Sequence, residues 1–285
     1  MGRFPDGAHY RVEIPSVEGP RCLDVVLTEA DRLGVPVTRV SQGTGVGLLS
    51  DAEIGEMVKL AADQGVELSL FARPCAAWGT SATARTPAGA ALAASAWGQD
   101  QLSAAVDEIR RAADLGVRSV LVSDLGVLAT LGRLRAAGEL PADLKAKVSV
   151  MLPVANPATA EVVVGLGANT INLPTDLSLA QIAEIRAAVD VPLDIYVEAP
   201  DNLGGFVRHH ELPRLVEIAA PVYVKFGLRN APDVYPSGTH LDDVTVALSR
   251  ERVRRARLGL DLLERKGSTA VCSPPGAAGL GIPVP

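Results

Sequence analysis

Apolar positions along the chain fall into short β-branched runs that alternate with longer stretches of helical spacing, and the junction between them repeats. Ala30-Asp31-Arg32-Leu33-Gly34-Val35, Ala62-Asp63-Gln64-Gly65-Val66 and Ala113-Asp114-Leu115-Gly116-Val117 each end a helical pattern on Gly and begin an apolar run at once. A Gly just past a helix takes the left-handed conformation that closes the last carbonyls, and the Val-rich run after it suits a buried strand. This punctuation predicts strands near 10–16, 36–42, 66–73, 117–124, 147–154, 169–174, 191–198 and 221–229, each followed by a helical pattern. Ser50-Asp51-Ala52-Glu53 and Ser178-Leu179-Ala180-Gln181 read as capping boxes that open two of the helices.

Eight consecutive strand-helix units predict an α/β protein with a single (β/α)8 TIM barrel, in preference to a doubly wound sheet. The barrel domain is expected over residues 1–267, with a Pro- and Gly-rich, disordered tail over 268–285. Active sites of this fold lie where strands end and helices begin. Two long connections fall there: residues 75–99 after strand three, with Trp78 and Trp97, and residues 230–243 after strand eight.

Composition narrows the picture. Aromatic residues make up only 4% of the 285, so Ala, Val and Leu must fill the core, as in sheets buried on both faces. The net charge of -6 gives no overall attraction to nucleic acid or an anionic membrane, so neither is an expected partner. Cys22, Cys75 and Cys272 are too dispersed for a disulfide framework or zinc ribbon, which suits a reducing compartment. With no apolar leader or membrane-length run, the expectation is a soluble cytoplasmic protein, with a homo-oligomer left open.

Ser119-Val-Leu-Val-Ser-Asp-Leu-Gly-Val-Leu128, Val148-Ser-Val-Met-Leu-Pro-Val-Ala-Asn156, Leu166-Gly-Ala-Asn-Thr-Ile-Asn-Leu-Pro174 and Leu177-Ser-Leu-Ala-Gln-Ile-Ala-Glu-Ile-Arg186 follow one another in order. Over roughly residues 115–200 the chain resembles the barrel core of the peptidase U32 family. The resemblance implies a TIM-type barrel and a family that holds collagenase-like peptidases and proteins tied to hydroxylation of tRNA bases or quinones. The family's cysteines after strand seven, linked to an iron-sulfur cluster, are replaced here by Tyr196-Val-Glu-Ala-Pro-Asp-Asn-Leu-Gly-Gly-Phe-Val-Arg-His-His-Glu211. No iron-sulfur cluster is therefore expected.

Side chains alternate along a strand, so one parity faces the barrel interior. Strand eight sets Tyr223, Lys225, Gly227 and Arg229 against Val222, Val224, Phe226 and Leu228, and strand seven sets Asp194, Tyr196 and Glu198 against Leu193, Ile195 and Val197. The polar parity is read as interior, joined by Arg11, Glu13, Arg39, Ser41, Glu67, Ser69, Arg73 and Asn172. Buried charges must be paired, so a structural ion-pair network is the reading for Arg11, Glu67 and Asp194. Glu13, Arg73, Glu198, Lys225 and Arg229, nearer the strand ends, are read as functional.

Three chemistries fit these groups. Lys225 would act as a Schiff-base nucleophile or general base, with Glu198 relaying protons. Alternatively Glu198 would hold a divalent Zn, Mn or Fe ion with His209 or His210 and with His240. In the third, Asp201-Asn202-Leu203-Gly204-Gly205 and Gly227 would cradle a phosphate or carboxylate, helped by Arg208 and Arg229. Gln42, Asp124 and Asn172 are further candidate hydrogen-bonding groups. No serine-hydrolase elbow, Walker loop, HExxH helix or dinucleotide fingerprint is present.

The expected protein is thus an enzyme, a lyase, isomerase or hydrolase, acting on a small polar, anionic metabolite by carbonyl-type acid-base or metal-assisted chemistry. Glu198, Lys225 and Glu13 are its candidate catalytic residues. Arg39, Gln42, Arg73, Asn172, Asn202 and Arg229 are expected to bind substrate, and Glu198, His209 and His240 to bind metal. The alternatives are a peptidase acting on short peptides, or a non-catalytic binding or assembly subunit that retained the barrel.

Overall fold

The computed structural model describes residues 2–73 and 94–285. Most of the 75–99 connection singled out above, with Trp78 and Cys75, lies outside the described residues. Eight parallel strands pair in chain order and close into a barrel: β1 (Tyr10–Pro15), β2 (Val37–Ser41), β3 (Glu67–Phe71), β4 (Ser119–Val122), β5 (Lys145–Val148), β6 (Thr170–Asn172), β7 (Leu193–Glu198) and β8 (Val222–Phe226). After them come α1 (Pro20–Leu33), α2 (Asp51–Asp63), α3 (Gly98–Asp114), α4 (Leu125–Ala136), α5 (Pro157–Gly165), α6 (Leu179–Ala188), α7 (Leu212–Ala219) and α8 (Asp242–Arg265). The chain is a single (β/α)8 barrel. No helix among the described residues is long and apolar enough to cross a membrane.

The local signals that predicted these elements have direct structural counterparts. Gly34, Gly65 and Gly116, the three repeated junction glycines, all have positive φ (62°, 63° and 96°), which a side chain would strain. Ser50 and Ser178 form reciprocal capping boxes with Glu53 and Gln181 at the starts of α2 and α6. Between strands and helices lies a continuous apolar layer that includes Val12, Ile14, Leu23, Val40, Ile54 and Val224, each 1% exposed or less. Burying each such side chain contributes about 1.5–3 kcal/mol, so this layer drives closure.

Two predicted boundaries are corrected. The fifth strand is Lys145–Val148 rather than 147–154. The apolar stretch after Val148 forms the connection to α5, turning where Leu152 N–H donates to the Ser149 carbonyl at 3.0 Å. The segment 268–285 is not a loose tail. Cys272 bridges alongside Tyr10 in parallel, the Gly281 N–H donates to Glu67 Oε2 at 3.0 Å, and the Val284 N–H donates to the Gly116 carbonyl at 2.8 Å. Its Pro and Gly residues let it follow the N-terminal ends of the strands, where it satisfies buried charges that helices leave uncovered.

Candidate active site at the barrel mouth

The barrel interior is polar, as the strand parity predicts. Register pairs Glu13 with Arg39 and Lys225, Arg39 with Glu67, and Asp194 with Tyr223 and Asn172, which sets these side chains side by side in the lumen. Arg39 donates to Glu13 at 2.8 Å and to Asp194 at 2.6 Å, lies 3.5 Å from Glu67, and stacks over the Tyr223 ring at 3.4 Å. It is fully buried and saturated, so the expectation that Arg39 holds a substrate anion is corrected: it neutralises three carboxylates. Arg11 bonds Ser273, Tyr223 and the Ala278 carbonyl, a structural role like those of Glu67 and Asp194.

Glu13 collects three cations on one carboxylate. Its Oε2 accepts from Arg39; its Oε1 accepts from Ser41 at 2.7 Å and from Lys147, and lies 3.3 Å from the Lys225 ammonium. Burial alone would raise its pKa, but Arg39, Lys147 and Lys225 together hold it well below the usual carboxylate range. Lys147, which also lies 3.5 Å from Asp194, is pushed down to about 7 by burial and by the charges of Arg39 and Lys225. Sequence reasoning missed Lys147. The signal was the Lys145-Ala146-Lys147-Val148 alternation, which reads as a solvated edge until its strand is placed.

Above this network, at the C-terminal ends of the strands, opens a cavity of about 290 Å³ whose lining includes Lys225, Asn172, Tyr196, Arg73, Gln42 and Tyr235. With its amide oxygen turned toward Lys225, Asn172 accepts from Nζ at 2.8 Å and its NH2 donates to the Asp194 carbonyl at 3.1 Å. The Tyr196 ring lies 4.3 Å from the same ammonium, a cation–π contact. At the rim Arg73 donates to the Gly43 carbonyl at 2.9 Å and lies 5.8 Å from the centre of the Tyr235 ring. Tyr235 comes from the long connection after β8 flagged in the sequence, and its hydroxyl donates to Ser16 Oγ at 2.5 Å. A side chain at Gly43 would sit 2.6 Å from that hydroxyl, so glycine there lets the two loops meet.

Several predicted site residues are elsewhere or otherwise engaged. A β-bulge between Tyr196 and Glu198 pairs Glu198 with Phe226 rather than with an interior position of β8. The extra residue turns the Glu198 carboxylate out of the lumen, away from Lys225. It accepts from the Arg229 N–H at 2.9 Å and lies 3.0 Å from His209 Nε2 and 3.6 Å from Arg255 of α8. Burial opposes its charge, but His209, the Arg229 amide and Arg255 outweigh it and hold its pKa below the ordinary value. The predicted Glu198–Lys225 pair is replaced by Glu13–Lys225.

His240 lines a second cavity with Glu18, Glu53 and Asp242, and among the described residues no three His, Cys, Asp or Glu side chains gather as a set that could hold a metal ion. Glu198, His209 and His240 therefore do not make a three-ligand centre. The Arg229 side chain is 61% exposed and lies 3.9 Å from Asp201, outside the mouth cavity. Gln42 and Asn202 do line that cavity, although Gln42 also exchanges hydrogen bonds with the Gly45 backbone. The predicted anion cradle dissolves into structure: buried Arg208 donates to the Leu177 carbonyl and pairs with Glu211, and a side chain on Gly227 would meet the Glu198 carbonyl at 2.7 Å. Asp124 is the N-cap of α4, accepting from the Val127 N–H at 2.9 Å.

Residues 91–199 match the model of peptidase family U32. The chain is U32-like. The match runs from the segment before α3 to the residue after β7, and so takes in Lys147, Asn172, Asp194 and Tyr196 but not Glu13, Arg39, Arg73 or Lys225. No curated protein sequence matches the U32-like chain. Among solved structures, a U32 peptidase is 21% identical over 70% of this chain and 73% of its own, with a TM-score of 0.44. A truncated 3-deoxy-D-arabino-heptulosonate 7-phosphate synthase from Thermotoga maritima is 13% identical over 94% and 91%, with a TM-score of 0.48. Thiamine phosphate pyrophosphorylase from Pyrococcus furiosus is 13% identical over 87% and 98%, with a TM-score of 0.44.

Proposed function

We propose that the mouth cavity binds a small anionic carbonyl metabolite and that Lys225 is the acid-base group acting on its carbonyl oxygen. The position of Lys225 carries this reading. An ammonium has three N–H donors. Asn172 accepts one of them, Glu13 lies 3.3 Å away as an ion-pair partner, and the cavity adjoins the ammonium. A carbonyl oxygen seated there would accept a charge-assisted hydrogen bond, and the proton would follow as the oxygen gains charge during enolisation or carbon–carbon cleavage. Arg73 supplies the cation for the anionic end of the ligand.

The volume of about 290 Å³ is at the small end of ligand pockets and suits a metabolite of a few carbons. The network fills the lumen beneath Lys225 and leaves the cavity above it, which supports a small-molecule site rather than an interior wholly consumed by salt bridges. The U32 match favours a second reading, in which the carbonyl belongs to a short peptide and the same Lys225 donor polarises it.

Thermal denaturation with pyruvate and 2-oxoglutarate as probes tests the first reading. Either probe is expected to raise the Tm of the wild type, to have no effect on Lys225→Met, and to bind Arg73→Gln about tenfold more weakly, the loss of roughly one charge-assisted contact at 1.4 kcal/mol. An unchanged response in Lys225→Met, or no response in the wild type, contradicts the proposal.

A further inference from the structure

Of the 27 basic side chains only Lys59, Lys145, Lys147, Lys225 and Lys266 are lysines. Two of them are buried in the barrel, and both reach Oε1 of Glu13. Arginine stays charged and is the better partner for a permanent buried pair, whereas a buried lysine can lose its proton. Where the lumen needs fixed cations it has Arg11 and Arg39. The two titratable cations meet on a single oxygen.

Resting on the reading of the mouth cavity given above, we propose that Lys147, Glu13 and Lys225 form a proton relay in which Lys147 restores the proton that Lys225 gives to its substrate. The Lys225 ammonium transfers a proton to the substrate carbonyl oxygen; an N–H bond breaks, an O–H bond forms, and a neutral amine remains. Lys147 then passes a proton to Glu13 Oε1, and that oxygen passes it to the Lys225 amine. Glu13 ends as the carboxylate and Lys147 as the neutral amine, so charge and protons balance. When the product carbonyl re-forms, the proton returns along the same path.

Lys147 is only 1% exposed and does not line the cavity, so its route to a ligand runs through Glu13. The charged groups facing it are Glu13 on β1, Arg39 on β2, Asp194 on β7 and Lys225 on β8. Burial with Arg39 and Lys225 outweighs Glu13 and Asp194 and sets its pKa at about 7, so it exchanges its proton near neutrality. In Lys147→Arg the charge and hydrogen bond persist while the transferable proton is lost.

Lysine-selective 13Cε and 15Nζ NMR over pH 5–10 tests the relay, five lysines giving a resolvable spectrum and Lys225→Met assigning the second buried signal. In the wild type the Lys147 signal is expected to titrate near 7 and the Lys225 signal to shift over the same range, because both ammoniums face Oε1 of Glu13. That step should vanish from the Lys225 signal in Lys147→Arg and in Lys147→Met. A Lys147 signal that stays charged through pH 9, or a Lys225 signal indifferent to the Lys147 step, overturns the relay, and the wild-type spectrum alone can show either. If the coupled titration is present but pyruvate leaves the Lys225 signal unmoved, the carbonyl reading of the cavity fails while the relay stands.

Discussion

Glu13 joins β1 to β2, β5 and β8 through Arg39, Lys147 and Lys225, and removing its charge would leave buried cations uncompensated. Glu13→Gln is expected to lower stability by about 3–5 kcal/mol at pH 7, measured by urea denaturation. Because its folded pKa lies well below the unfolded value of 4.5, its stabilisation is present above that value and is lost as pH falls through the folded pKa. The wild type should therefore lose stability below about pH 4.5, more steeply than Glu13→Gln. Lys147 has the opposite sign: its folded pKa of about 7 lies below the unfolded 10.5, so its burial penalty is full at low pH and is relieved as pH rises between those values. At this scale the sequence disclosed Glu13, Lys225, Asn172 and Arg73 through alternation alone. Lys147 was hidden by a strand start two residues from where the apolar run suggested.

Among elements, β7 shows the limit of the same logic. Alternation places Asp194, Tyr196 and Glu198 on one face, and it holds for the first two; the bulge after Tyr196 reverses the third, and no feature of Tyr196-Val197-Glu198-Ala199 announces it. A bulge is a compromise of tertiary packing, here letting Glu198 reach His209 and Arg255, and so lies beyond local pattern. Helix starts were better encoded, since a cap needs only neighbours in sequence. Asp124→Ala, which uncaps α4, should cost about 1 kcal/mol by thermal denaturation and leave pyruvate binding unchanged. The closing segment behaves as an element too. Truncation after Gly267 takes away the Ser273, Ala278 and Gly281 partners of Arg11 and Glu67, and charge-assisted bonds contribute about 1.5–3 kcal/mol each. A Tm reduced by many degrees is expected; a truncated protein with the wild-type Tm would show those contacts to be dispensable.

For the whole molecule, eightfold repetition made the barrel legible, because each βα unit carries its own stop and start signals and closure follows from their number. Where the chemistry sits was less legible, since a closed lumen brings together residues as distant as Glu13 and Lys225, and only register decides which touch. That register divides the interior into a saturated charge network around Arg39 and an open cavity above Lys225. A crystal structure of the protein soaked in pyruvate tests it most directly. The ligand is expected in the mouth cavity with an oxygen about 3 Å from Lys225 Nζ; pyruvate bound instead beside Glu198 and His209, or a mouth cavity without it, would contradict this division of the interior.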